Sequence, residues 1–190
     1  MRNAHIERMS KVIASVLFFF LAAGGAAADQ NNPRLPALFE QLQRAADPVS
    51  AAEAERNIWR IWSLPDRREA SAPFAQGVLS MNRGKLKQAM ALFSNVVKIA
   101  PDFAEGWNKR ATVAYYLGDF DTSVHDIQKT LALEPRHFGA LSGLAMIYEA
   151  TGLQERALDV LIQVKEIYPA MPGIDERMQT LRAAIEAKKT

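Results

Sequence analysis

A 34-residue period constrains this chain more than any other feature. Pro101, Pro135 and Pro169 recur at that interval, as do Gly84, Gly118 and Gly152. Two small-residue columns follow the same spacing, Gly77/Ala111/Ala145 and Ala89/Ser123/Ala157, and a large apolar column holds Phe93, Ile127 and Leu161. The chain has only 9 prolines and 10 glycines in 190 residues, so aligned triplets of both mark a repeat rather than coincidence.

Each column has a physical reading. A small residue in each half of the unit lets two antiparallel helices approach to about 8–10 Å where they cross. The glycine falls where the first helix must end, and glycine accepts the left-handed conformation that closes a helix C-terminus. The proline stops the second helix, having no N–H and disfavouring helix in the residue before it. Three helix pairs are predicted: Ala72 to Arg83 with Leu86 to Ile99, Phe103 to Leu117 with Phe120 to Leu133, and Phe138 to Ala150 with Leu153 to Ile167. Asp102 and Glu105 have capping-pair spacing at the start of the second pair.

Trp107-x-x-Arg110-Ala111, Gly118, Phe120, Ser123, Ile127 and Pro135 follow the column order of the tetratricopeptide repeat, which the chain resembles over residues 70–171 in units 70–103, 104–137 and 138–171. Departures from that pattern are Pro73 where the family favours Trp, Arg110 where it favours Leu, and Ala114 in place of Tyr. The resemblance implies an all-α, right-handed α-solenoid of antiparallel helix pairs, with a concave inner face that binds peptides or proteins.

Residues 1–28 read as a secretory signal. Arg2, Arg8 and Lys11 precede the apolar run Val12 to Ala23, and Ala26-Ala27-Ala28 supplies the small residues of a cleavage site ahead of Asp29. The apolar run is about a dozen residues against the roughly 20 that span a bilayer, so cleavage and export are expected, with no stable membrane insertion afterwards. The full chain carries 23 Lys+Arg and 21 Asp+Glu, and removing Arg2, Arg8, Lys11 and Glu7 leaves 20 of each. A neutral chain gives nucleic acid no electrostatic footprint. There is no cysteine, hence neither a disulfide nor a lipid-modified N-terminal Cys.

Residues 29–69 are read as a leader and a helical hairpin. Leu35, Leu38, Phe39 and Leu42 line one helix; Ser50-Ala51-Ala52-Glu53 has the spacing of a capping box for the next, whose apolar face is Ala54, Ile58, Ile61 and Trp62 with Trp59 alongside. In the 34-residue register Gln43 and Glu55 occupy the small-residue columns, so this hairpin is a degenerate repeat or a cap, expected to close the stack. Residues 172–190 supply a C-terminal capping helix with Ile174, Met178, Leu181 and Ile185 on one face.

Catalytic and metal chemistry has little to stand on. Beyond residue 28 the only histidines are His125 and His137, with no His-x-x-x-His or Glu-x-x-His pair, and His125 is expected to make a surface pair with Asp121. The local geometries of a nucleophile elbow, a phosphate loop and a dinucleotide turn all lack their sequences. No cofactor and no metal are expected. What the resemblance implies instead is a groove along the first helix of each pair, which position by position offers Val78 and Met81, then Glu105, Asn108, Thr112 and Tyr115 with Lys109 at the edge, then Ser142, Met146 and Glu149. Gly139 and Gly143 are expected to leave space beside them. Repeats that clamp a terminal carboxylate resemble one another in a Lys and an Asn on the first helix; Phe74, Val78, Ser142 and Gly143 depart from that clamp. The expectation is a non-enzymatic, exported interaction module, periplasmic in a Gram-negative cell, serving as a scaffold or adaptor in cell-envelope assembly or integrity. The alternative is a periplasmic chaperone or an accessory subunit of an envelope enzyme complex.

Overall fold

The structure, a computed structural model, describes residues 29–188; the secretory-signal reading of residues 1–28 lies outside them. Among the described residues there are nine α-helices and no strand: α1 (Leu35–Arg44), α2 (Pro48–Trp62), α3 (Arg68–Asn82), α4 (Leu86–Ile99), α5 (Ala104–Tyr116), α6 (Phe120–Leu133), α7 (Phe138–Ala150), α8 (Gln154–Ile167) and α9 (Ile174–Ala187). No helix there is long and apolar enough to cross a membrane. Helices α3/α4, α5/α6 and α7/α8 pack as antiparallel pairs, and α4, α6 and α8 each pack on the helix that follows.

The glycine column makes three copies of one turn. Gly84, Gly118 and Gly152 have φ of +70°, +77° and +78°. In each, the residue after the glycine donates to a carbonyl five residues back: Lys85 to Ser80 at 2.9 Å, Asp119 to Ala114 at 2.9 Å and Leu153 to Tyr148 at 2.8 Å. The glycine N–H bonds three residues back, to Met81, Tyr115 and Glu149. These are Schellman closures, which satisfy carbonyls the helix end would leave orphaned.

The small columns do the work expected of them. A Cβ built on Gly77 would stand 2.7 Å from Phe93 Cε1, so the α3/α4 crossing admits no larger residue. At α5/α6 the Ser123 hydroxyl donates to the Ala111 carbonyl at 2.8 Å, a bond possible only where two backbones nearly touch. Arg110, a departure from the repeat pattern, donates from Nε and Nη2 to the buried Asp126 at 2.6 and 2.7 Å, with its guanidinium 4.8 Å from the Trp107 ring. The pair is matched: a buried carboxylate on α6 needs a bidentate partner, and Arg110 supplies it. His125 Nδ1 also lies 3.0 Å from Asp126 Oδ1.

The hairpin α1/α2 is not where a stack-closing element was expected. The first pair has a core of its own, built on Ala70, Phe74, Ala89, Phe93 and Phe103. The hairpin's buried residues instead join those of α7, α8 and α9. It runs along the edge of the stack formed by the proline junctions. Gln30, in the 3-10 turn Asp29–Asn31 ahead of α1, bonds the Asp102 carbonyl at 2.7 Å at the first junction. Trp62 stacks on His137 at the second junction, centroids 4.1 Å apart and planes within 9°, while Arg136 lies over the Phe39 ring. Gln43 donates to the Glu166 carbonyl and Tyr168 to Glu55 at the third. The physical reason is that His137 and Phe138 at the second junction and Tyr168 at the third present ring faces on one edge, which the Trp, Phe and Leu residues of the two helices bury.

Three start positions also differ from expectation, the first being that of α3, which begins at Arg68 rather than Ala72. The N-cap of α2 is Asp47, accepting from Val49 and Ser50 amides, with Pro48 in the first turn, so Ser50 is the third helical residue rather than the cap. Helix α5 begins after Phe103 with no side-chain cap, because Glu105 is drawn into the interior.

Because Trp62 is fully buried between the hairpin and the stack, Trp62→Ala should lower stability by about 3–5 kcal/mol in urea denaturation while keeping a single transition. A small loss, or a separate early transition for the hairpin, would contradict this placement.

Candidate functional site

The inner face is built from α5 and α7, the first helices of the second and third pairs. The two helices contact each other, and between them lies a cleft of about 200 Å³. Of the residues expected there, Asn108, Thr112, Tyr115, Ser142 and Met146 do line it together. Tyr115 packs against Tyr116 and Phe120, with centroids 5.8 and 5.6 Å away. Gly143 leaves its side open, its nearest neighbour being Ile127 at 3.7 Å from a built Cβ.

The other expected residues go elsewhere. Val78 and Met81 pack on the core of the first pair. Glu149 bonds Arg177 Nε at 2.8 Å and lines a second depression, of about 300 Å³, with Gly173, Glu176, Thr180 and Leu181. Gly139 does not leave space: a Cβ there would stand 2.6 Å from the Trp59 ring, so α2 ends the cleft on that side. Tyr116, 60% exposed at the cleft wall, was missed because its column holds no distinctive residue in the other repeats.

Glu105 and Lys109 form a buried cluster beneath the hairpin rather than an open groove. Glu105 is 1% exposed. Its carboxylate accepts from Asn108 Nδ2 at 2.7 Å, faces His137 Nε2 at 3.0 Å and pairs with Lys109 Nζ at 2.9 Å. His137 Nδ1 accepts the Ala140 N–H at 3.1 Å, capping α7, so the ring proton resides on Nε2 and is donated to Glu105. Lys109 Nζ also sits 5.5 Å from the Trp59 ring centre. Asn108 is therefore buried, with its amide nitrogen turned to Glu105.

Burial works to raise the Glu105 carboxyl, but Lys109 and the His137 hydrogen bond together outweigh it and hold the group below the usual glutamate value. Burial first, then the neighbouring Glu55 carboxylate, pushes the Tyr168 phenol up to about 12. Among the described residues no group of three His, Asp or Glu side chains could hold a metal ion.

A depressed carboxylate stabilises the fold above its unfolded value and loses that contribution as pH falls through the folded one. Glu105→Gln should thus cost about 1–3 kcal/mol at pH 7, with the gap from wild type narrowing below about pH 4. Denaturation curves from pH 3 to 7 check it; a gap that widens on acidification would contradict the assignment.

A family model described as tetratricopeptide repeat matches residues 108–172. The chain is 31% identical over 157 residues to a TPR repeat-containing protein of Rhizobium etli, a match covering 83% of this chain and 77% of that protein. Among solved structures it is similar to the first TPR of Spaghetti (RPAP3) bound to the HSP90 peptide SRMEEVD, with TM-score 0.61, 19% identity and coverage of 64% of this chain and 96% of that one. It is also similar to MamA, with TM-score 0.50, 19% identity and 87% of each chain covered. At that identity the two structures speak to the fold, while the Rhizobium relative and the repeat columns carry the kinship. The chain belongs to the tetratricopeptide repeat family, and its architecture is that of a protein–protein interaction module.

Proposed function

We propose that the chain is a non-enzymatic, exported interaction module whose α5/α7 cleft holds a segment of a protein partner, acting as a scaffold or adaptor in the cell envelope. The observation that carries the binding part is the cleft itself: an open, half-buried wall of Tyr115, Tyr116, Thr112 and Met146 on the inner face of a repeat stack. Aromatic and methionine side chains at a concave surface are the groups on which binding energy concentrates. That a similar repeat structure holds a peptide supports the same use of this face. Export rests on the charge and length pattern of residues 1–28.

Tyr116 and Met146 are exposed enough to be replaced without opening the core. The double variant Tyr116→Ala/Met146→Ala should change stability by under about 1 kcal/mol and remove capture of partner from envelope extract. Asn108 is unsuitable for this test, because its loss strips a donor from buried Glu105. Undiminished capture by a stably folded double variant would move the binding surface away from the cleft.

A further inference from the structure

The two depressions of the inner face are one feature repeated. Adding 34 to Tyr115, Gly139, Ser142, Gly143 and Met146 gives Glu149, Gly173, Glu176, Arg177 and Thr180, all of which line the second depression. Helix α9 thus presents to α7 the face that α7 presents to α5. Neighbouring inner helices stand about 8–10 Å apart, so an extended chain rising about 3.3 Å per residue passes from one depression to the next in about three residues.

Each depression holds a buried polar atom with no hydrogen-bond partner, Ser142 Oγ in the first and Arg177 Nη2 in the second. A buried orphan of this kind is costly until a ligand pairs it. The charges are arranged differently. Lys109 is held by Glu105, Arg110 by Asp126 and Arg177 Nε by Glu149. Arg177 is the one cation lining either depression among the described residues, and Glu149 and Glu176 flank it. The α5/α7 cleft is lined by no charged side chain at all.

We infer that the groove takes an extended, uncharged stretch of about six residues, with apolar side chains over Tyr115, Tyr116 and Met146, a backbone group at Ser142 Oγ and a backbone carbonyl accepting from Arg177 Nη2. This rests on the reading of the inner face as a segment-binding groove. A terminal carboxylate or an Asp/Glu run meets Glu149 and Glu176 beside Arg177, whereas a Lys/Arg run finds no carboxylate in the first cleft and, beside the carboxylates of the second, meets the Arg177 guanidinium as well.

The test is selection of a phage-displayed random heptapeptide library on the purified protein, followed by calorimetry with synthetic, end-blocked versions of the enriched sequences. The expected winners lack Asp, Glu, Lys and Arg over at least five consecutive positions, and their affinity changes less than twofold between 50 and 500 mM salt. They should not bind Gly143→Glu, which puts a carboxylate into open space in the cleft. Ser142→Ala and Arg177→Lys, the latter keeping the charge that pairs with Glu149, should each weaken binding about three- to tenfold. Enriched acidic or basic sequences, or a salt dependence above tenfold, would overturn the ligand class while leaving the groove as a binding site. Retained binding by Gly143→Glu, or no enrichment over background, would overturn the groove reading itself.

Discussion

The N-terminal hairpin, α5 and α7 are joined at the face-to-face contact of Trp62 with His137. His137 stands at a repeat junction, where chain direction reverses and polar backbone is hardest to cover. Its ring is closed on one face by Trp62, bonded through Nε2 to Glu105 on α5 and through Nδ1 to the start of α7. One imidazole therefore joins the N-terminal hairpin, the second pair and the third pair. A buried carboxylate is tolerable there because three donors converge on it.

A stack of helix pairs is quasi-one-dimensional, each unit touching only its neighbours. The N-terminal segment changes this by adding contacts between residues 72 apart in sequence at the first junction, 75 apart (Trp62 on His137) at the second, and 113 and 123 apart at the third. Such contacts bind the N-terminal helices to the far end of the array, so the third pair and the hairpin share one core. The same placement shapes the groove. Trp59 fills the space at Gly139 and covers Lys109, closing the inner face toward the first pair and leaving the α5/α7 and α7/α9 depressions as the open length.

What could be read from residues alone was whatever the backbone imposes. Gly84, Gly118 and Gly152 announce left-handed closures, the prolines announce junctions, and Gly77 and Ala111 announce crossings, because few other residues fit those places. The inner-helix positions of Asn108, Thr112, Tyr115, Ser142 and Met146 followed from that register. Partner choice did not. Trp59 and Trp62 give α2 an apolar face but do not say which surface it covers, and Glu105 looks like a capping residue until His137, 32 positions later, is seen to meet it. The second depression was within reach: shifting Ser142, Gly143 and Met146 by one period names Glu176, Arg177 and Thr180, although the polar residues of α9 suggested only a solvated cap.

The central claim is that the hairpin is part of one cooperative body with the repeats. Native-state hydrogen exchange along the chain tests it most directly, since sub-global openings appear as groups of amides with free energies below the global value. The account predicts that the amides of α2 near Ile58 and Trp62 exchange with the same free energy as those of α7 near Leu141 and Ala145, and that both track denaturant together. Exchange of α1 and α2 through a separate, lower-energy opening while α7 and α8 stay protected would contradict it.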